Sequence, residues 1–172
     1  LEYFQKAIAI HRSLGNKKLI GGTLSNMGVV YFKMKEYDTA LEHYAESISI
    51  IQQLNEKPIL SILYESMGNV YKEKGDYATA NKQYRTAMQL SSELGDDYGI
   101  ASIARNMGES ALLNGGYKEA IEHLLLSRNI SNRIGARSFV MNADRILADA
   151  YEKAGDYRAA YNSQKAYQVL QD

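Results

Sequence analysis

The sequence lacks cysteine, and its only proline is Pro58. The missing cysteines exclude disulfides, thiolate catalysis and zinc-thiolate sites, and they leave the redox compartment open. An excess of one charge is also lacking, because 20 basic residues balance 20 acidic ones. No net charge attracts nucleic acid or an anionic membrane, and no apolar run approaches the roughly 20 residues of a membrane span. We therefore expect no nucleic-acid partner and no direct membrane insertion.

Repetition is the main feature that the sequence does have. The hexapeptide GDYATA at 75–80 returns as GDYRAA at 155–160, and in looser form as KEYDTA at 35–40 and GGYKEA at 115–120. The tyrosines of the four copies are Tyr37, Tyr77, Tyr117 and Tyr157. Their step of about 40 residues is typical of a repeat array.

We predict that residues 1–172 form a single array. Its parts are the second helix of a truncated repeat at 1–16 and four repeats at 17–56, 57–96, 97–136 and 137–172. Because the chain starts at Leu1, without a methionine and halfway through a repeat, we expect it to be part of a longer protein. The compartment stays open between the cytoplasm and, for a sensor region, the periplasm.

Apolar spacing predicts two helices in each repeat. The glycine of the hexapeptide supplies the left-handed residue that ends the first helix, and Asp76 or Asp156 accepts hydrogen bonds from the first amides of the second. The alanine three residues after each tyrosine, and the glycine or alanine nine residues before it, allow two helices to approach closely. The tyrosines are expected in the core. Pro58 falls near the start of a helix, where its missing amide costs nothing.

This pattern resembles the tetratricopeptide repeat. The second repeat carries the signature most completely, through Tyr64, Met67, Gly68, Tyr71, Gly75, Asp76, Tyr77, Ala80, Tyr84 and Ala87. The usual unit has 34 residues, so the helices here are longer, and such long repeats are similar to the arrays of bacterial sensor kinases and cyclases and of eukaryotic spindle-orientation adaptors. The resemblance implies an all-α solenoid of stacked antiparallel helix pairs, wound as a right-handed superhelix whose first helices line a concave groove.

The resemblance also implies a function, which is to dock a protein or peptide segment in that groove without catalysis or a cofactor. The chain would then be the recognition or regulatory region of a larger signalling protein. Transferred by position, the groove residues are Ser25, Val29, Phe32, Lys33, Glu65, Asn69, Lys72, Arg105, Asn106, Glu109, Leu112, Leu113, Arg145 and Asp149. Their mixed charges and apolar residues suit an amphipathic peptide or helix. Two alternatives stay open: a structural spacer or self-associating dimerisation module, and a small-ligand or peptide sensor.

Arg105 and Arg145 occupy equivalent places one repeat apart. They could hold a carboxylate or an acidic partner segment by bidentate hydrogen bonds. The alternative is that each pairs with the acidic residue four positions later on its own helix, Arg105 with Glu109 and Arg145 with Asp149.

The third repeat departs from the pattern. Ala104, Ala111 and Leu124 stand where the second repeat has tyrosines, and Leu112 and Leu113 stand where the groove is usually polar. One interpretation is a local hydrophobic pocket for an anchor residue of a partner. The other is that the helix turns slightly and buries Leu112 in place of Ala111.

Sharper site motifs are incomplete or missing. A two-carboxylate clamp of the heat-shock cochaperone type would find asparagines at Asn69 and Asn106, but Glu65 brings the wrong charge and Asn142 and Ile146 replace its last two basic residues. His43 and His123 occupy the same repeat position two repeats apart, whereas a metal site or catalytic base requires convergence on one point. No phosphate loop, H-E-x-x-H motif or nucleophile elbow occurs. We therefore expect no enzyme and no metal site.

Overall fold

The computed structural model describes residues 2–171, and every regular element in that range is an α-helix. The helices are α1 (Glu2–Ser13), α2 (Lys17–Lys33), α3 (Tyr37–Gln52), α4 (Lys57–Glu73), α5 (Tyr77–Leu94), α6 (Asp97–Leu113), α7 (Tyr117–Arg133), α8 (Arg137–Lys153) and α9 (Tyr157–Gln171). Short links of two to four residues join them. The all-α class and the predicted helix pairs are confirmed.

The chain divides into two compact units, and the division falls inside α5: unit 1 ends at Leu90 and unit 2 begins at Ser91. In unit 1, α2 packs on α1 and α3, and α3 packs on α4. In unit 2, α6 packs on α7, α7 on α8 and α8 on α9. The first helices of neighbouring repeats also touch, α2 with α4 and α6 with α8. Within each unit, therefore, consecutive antiparallel helices stack as in a solenoid.

A left-handed residue ends the helices at every twentieth position. In unit 2 these residues are all glycines, Gly95, Gly115, Gly135 and Gly155, and in unit 1 they are Gly15, Lys35, Asn55 and Gly75. Lys35 adopts this conformation with φ 63° although it carries a side chain. The predicted glycine role is therefore confirmed at three of the four hexapeptides, and a lysine fills it at the first.

The predicted helix caps are confirmed. The Asp76 carboxylate accepts from the Thr79 amide and the Asp156 carboxylate from the Ala159 amide, both at 3.0 Å. The hydrogen bond from the Thr79 backbone holds the pKa of Asp76 below its ordinary value. Pro58 lies in the first turn of α4, as its missing amide requires.

Small residues allow the two helices of a repeat to touch. A Cβ atom at Gly28 would lie 2.6 Å from the Tyr44 ring, and one at Gly108 would lie 2.6 Å from Leu124 Cγ. The fourth repeat tolerates Ala148 at this position because the residue facing it in the pattern is Gln164, which is exposed. The side chain across the helix pair thus decides whether glycine is needed.

The expectation that the tyrosines lie in the core is only partly correct. Tyr44 and Tyr84 are buried, but Tyr157 and Tyr161 are exposed. In the first repeat Tyr37 packs against Phe32, with ring centroids 6.0 Å apart. Glu152 occupies the position of Phe32 in the fourth repeat, so Tyr157 lacks the corresponding apolar neighbour.

Buried serines link the two helices of a repeat. Ser47 Oγ donates to the Gly21 carbonyl at 2.8 Å, and Ser127 Oγ donates to the Ala101 carbonyl at 2.7 Å. In the second repeat the direction is reversed, because Ser61 on the first helix donates to the Ala87 carbonyl on the second at 3.0 Å. The bridge therefore occurs in both units, and in unit 1 it is formed from either helix of the pair.

Candidate functional site

The predicted groove residues lie on the first helix of each repeat, but they are not equally accessible. Those exposed to solvent are Val29, Lys33, Leu113, Arg145 and Asp149. Those half-buried are Ser25, Phe32, Glu65, Asn69, Arg105 and Glu109. Those buried are Lys72, Asn106 and Leu112. Only the first two groups can contact a partner without rearrangement.

The structure contradicts a contact role for the three buried residues. Leu112 is 8% exposed and belongs to a core cluster with Ile146 and Leu147. It is buried together with Ala111, so neither sequence interpretation of this position is fully correct. Lys72 occupies the same repeat position as Leu112, and Asn106 the same position as Ile146. These two positions are not buried in every repeat, because Asn26 and Glu152, which stand at the equivalent places, are exposed.

Five side chains define what we call the unit 2 face. On α6 they are Arg105, Glu109 and Leu113, and on α8 they are Arg145 and Asp149. Steps of four residues place the members of each helix on one side of it, and α6 and α8 touch. Leu113, one turn beyond Glu109, is 57% exposed. The face thus combines charged groups of both signs with an exposed apolar side chain.

The two arginines of the unit 2 face keep their guanidinium groups open. Among residues 2–171, neither Arg105 nor Arg145 forms a side-chain hydrogen bond or ion pair. The Asp149 carboxylate is instead paired with Lys153, with Oδ2 and Nζ 3.0 Å apart. The alternative in which each arginine pairs with the acid four residues later is therefore wrong.

The corresponding surface in unit 1, which we call the unit 1 face, is formed by α2 and α4. Val29 and Lys33 are exposed on α2, and α4 adds Ile62, an exposed apolar residue. Asn69 has a structural role, because its Oδ1 accepts from the Tyr84 hydroxyl at 2.8 Å. Phe32 packs against the core cluster of unit 1 and so offers only part of its ring. This face presents no equivalent of the arginine pair.

His43 and His123, which the sequence places at equivalent repeat positions, are half-buried and contact residues of their own repeats. The His43 ring stacks on Tyr31 at a centroid distance of 5.1 Å, and His123 Nε2 lies 3.7 Å from a Glu119 carboxylate oxygen. Within the part of the chain that the structure describes, no three His, Asp or Glu side chains gather as a metal site would require. Over the same range, none of the helices combines the length and the apolar character needed to cross a membrane.

The sequence analysis missed a buried ion pair in unit 2. Asp144 on α8 is 1% exposed, and its Oδ1 lies 2.7 Å from Nε of Arg128 on α7. Burial raises the pKa of Asp144, and the Arg128 charge opposes that rise. The sequence does contain a signal for this pair, because the other three repeats have uncharged residues at the position of Asp144. These residues are Leu24, Tyr64 and Ala104. An acidic residue at a core position indicates a special environment.

Comparisons with known proteins agree with this architecture. The family model described as "Tetratricopeptide repeat" matches residues 19–93. The chain is similar in structure to BtubC (BKLC) from P. vanneervenii, with a TM-score of 0.86 and 16% identity over 98% of this chain and 73% of that one. It is also similar to the TPR domain of Arabidopsis FLU, with a TM-score of 0.64 and 25% identity over 67% of this chain and 99% of that one.

A third similar structure is that of the TPR-like repeats of a putative kinesin light chain from Podosopora anserina. Its TM-score is 0.78, with 14% identity over 99% of this chain and 84% of that one. No curated protein matches the sequence. The family model covers residues 19–93, and α6 to α9 continue the same helix pairs, so this chain is similar to tetratricopeptide-repeat proteins and has their fold.

Proposed function

We propose that this chain docks a segment of a partner protein on the exposed faces of its first helices, as the recognition or regulatory region of a larger signalling protein. Tetratricopeptide repeats generally mediate interactions between proteins, and their fold is typically a non-catalytic scaffold. The proposal assigns the principal contacts to the unit 2 face, with Val29, Lys33 and Ile62 of the unit 1 face as secondary contacts.

The observation that carries the proposal is the open arginine pair. Arg105 and Arg145 recur at the same repeat position on touching helices, and Asp149, one turn beyond Arg145, is paired with Lys153. Packed helices lie about 8–10 Å apart, which sets the approximate spacing of the two guanidinium groups. Guanidinium groups bind carboxylates through two parallel hydrogen bonds, so the pair fits two acidic side chains at that spacing.

That spacing limits the partner segment. In an extended segment, about 10 Å separates residues three positions apart, and in a helix it separates residues about seven positions apart. Leu113 lies eight residues beyond Arg105 on α6, which corresponds to about 12 Å along the helix. The fitting segment therefore carries two acidic residues and, about one helix diameter beyond them, an apolar side chain that contacts Leu113.

The test is a capture experiment with matched variants. The purified chain is immobilised as wild type, as Arg105→Glu with Arg145→Glu, and as a control with Arg85→Glu and Arg158→Glu. The control arginines are exposed on second helices and change the net charge equally. Circular dichroism first establishes equal helicity. We expect partners that the wild type and the control retain and that the Arg105→Glu, Arg145→Glu variant loses. These partners should contain the acidic segment described above.

Two results would contradict the proposal. Partners that all three forms retain equally would remove the arginine pair from recognition. Partners that both variants lose equally would indicate a general charge effect. Leu113→Asp separately tests the apolar contact, since unchanged partner binding in that variant would exclude it.

A second candidate function is self-association through α1. Three apolar side chains of this region, Tyr3, Ile10 and Leu14, are largely exposed, and exposed apolar groups favour contact with another surface. Sedimentation equilibrium of the wild type and Ile10→Asp tests this candidate. A monomer at all concentrations would exclude it, whereas a dimer that Ile10→Asp dissociates would support it.

A further inference from the structure

A cleft in unit 2 lies between α7, α8 and α9, with a volume of about 420 Å³. Asp144 and Val140 of α8 line its base, and Arg128 of α7 and Lys165 of α9 line its sides. A smaller recess of about 150 Å³ adjoins it, and Arg137 lines that recess. We propose that this cleft binds a carboxylate ligand that also carries a short branched aliphatic group.

One repeat position distinguishes the lining of this cleft from the other repeats. In the second repeat Tyr64 occupies the position of Asp144, and its hydroxyl extends to Gln52 Nε2, 3.0 Å away. The aspartate is much shorter than the tyrosine, so it leaves space above α8 that a ring would fill. The aspartate thus leaves space that a tyrosine would occupy, and it places a charge in the lining of the cleft that Leu24 and Ala104, at the same position, do not supply.

The charges around the cleft favour an anion. Among the described residues that line the cleft and its recess, Arg128, Lys165 and Arg137 are basic, and Asp144 is the one acid. Asp144 is already paired with Arg128. The Arg137 guanidinium donates to the Leu170 carbonyl at 2.9 Å but keeps its charge. A ligand with one negative charge therefore offsets an excess of positive charge.

Asp144 orients the arginine for this role. Arg128 Nε lies buried 2.7 Å from Asp144 Oδ1 in an ion pair that is not aligned as a hydrogen bond, whereas the side chain as a whole is 36% exposed. The exposed part must therefore lie elsewhere on the side chain than Nε. An arginine held from one side by a buried acid presents its remaining N–H groups in a fixed direction, which favours bidentate binding of a carboxylate.

The remaining lining residues suit the rest of the ligand. Asn132 and Asn162 contribute side-chain amides that can donate to a carboxylate oxygen. Val140, Val169 and Leu170 form an apolar part of the wall. Pockets that combine a few polar groups with an apolar wall bind small molecules of mixed character. A carboxylate beside an isobutyl or isopropyl group matches both parts, and such a group occurs in free acids and in a polypeptide that ends in leucine.

Ligand titrations followed by NMR of the 15N-labelled chain test the proposal. The probes are 4-methylpentanoate, its amide, and N-acetylglycyl-leucine with a free carboxylate. A ligand with about eight non-hydrogen atoms is expected to bind in the millimolar range, so titration extends to about 20 mM. The signals followed are the side-chain amides of Asn132 and Asn162.

Three variants accompany the wild type. Asp144→Tyr fills the cleft in the way that Tyr64 fills its position in the second repeat. Lys165→Gln removes one exposed cation and is not expected to affect folding, so the test does not depend on the stability of Asp144→Tyr. Arg85→Gln is the control, because it removes a cation at the equivalent position of α5.

We expect saturable chemical-shift changes with 4-methylpentanoate and with N-acetylglycyl-leucine. The amide should bind at least about tenfold more weakly than 4-methylpentanoate, because it loses the charge-assisted hydrogen bonds. Lys165→Gln should weaken binding about three- to tenfold, Asp144→Tyr should abolish it, and Arg85→Gln should leave it unchanged. Tighter binding of the dipeptide would identify a polypeptide C-terminus as the source, and tighter binding of the free acid would identify a small carboxylic acid. Equal binding of acid and amide, or no saturable shift, would overturn the proposal.

Discussion

Units 1 and 2 use the same repeat but fill it differently. Unit 1 places aromatic rings at the signature positions, with Tyr44 and Tyr84 buried in helix pairs and Tyr64 bonded to Gln52. Unit 2 has Ala104, Leu124 and Asp144 at comparable positions. The helix pairs persist in both, so the small residues, serine bridges and turns carry the fold. Of these three residues, Ala104 and Leu124 remain buried in the core, whereas Asp144 lines the cleft of unit 2.

The largest expected effect tests how rigidly each unit packs. In Gly68→Ala the new methyl group would overlap the Tyr84 ring, which is fully buried and cannot bend away. We expect the free energy of unfolding to fall by about 3 kcal/mol. Gly108→Ala meets the smaller side chain of Leu124 at 2.6 Å, compared with 2.4 Å to the Tyr84 ring, and should cost about 2 kcal/mol. Urea unfolding curves measure both.

Ala148→Gly is the control for this pair. It opens no overlap and changes only helix propensity, so a loss of about 1 kcal/mol is expected. If Gly68→Ala and Gly108→Ala cost no more than Ala148→Gly, close approach at these glycines would not determine how the helices pack.

The second effect concerns the part of the framework that the two units share. Ser47→Ala and Ser127→Ala each remove a buried serine bridge, and each should lower the free energy of unfolding by about 1 kcal/mol. Ser131, on the same helix as Ser127, is also fully buried, but its hydroxyl has no hydrogen-bond partner. Ser131→Ala should therefore be neutral or stabilising in thermal melts. Equal losses for Ser127→Ala and Ser131→Ala would show that hydroxyl packing, and not the bridge, matters.

A smaller effect, confined to unit 2, depends on pH. Since burial raises the pKa of Asp144, the folded state binds its proton more tightly than the unfolded state does. Stability from this group is therefore greatest at low pH and declines as the pH rises from the ordinary range of an aspartate through the raised pKa. Arg128 limits the decline by stabilising the charged form.

The measurement for this effect is the difference in unfolding free energy between wild type and Asp144→Asn from about pH 4 to pH 7. The wild type should lose stability relative to the variant as the pH rises. Asp149→Asn, which alters an exposed acid on the same helix, is the control for a general effect of removing one acidic group. A rise of the Asp144 difference with pH would mean that the ion pair outweighs burial.

Much of the fold could be predicted because local rules determine it. Residues 75–80 contain the turn glycine, the capping aspartate and the small alanine in one run, and each role depends on neighbours in sequence. The exposure of side chains on the first helices was harder to predict, because it depends on which side chains of the adjacent helix pack against them. Leu112 is buried since Ile146 joins its cluster, and only a comparison across repeats reveals that partner. The cleft depends on three helices at once, so no single stretch of sequence contains its signal.

The smallest expected effect concerns the turns, where unit 2 has glycine at every left-handed position and unit 1 does not. Lys35 adopts φ 63° at a cost of about 1–2 kcal/mol that glycine avoids. Glycine also increases the entropy of the unfolded chain, which offsets roughly half of the gain. Lys35→Gly should therefore stabilise the fold by about 0.5 kcal/mol in urea unfolding, and Gly115→Lys should destabilise it by a similar amount. Asn55→Gly should change less, because asparagine tolerates this conformation better than lysine. Should Lys35→Gly prove destabilising, the lysine side chain must form a contact worth more than the strain of its backbone.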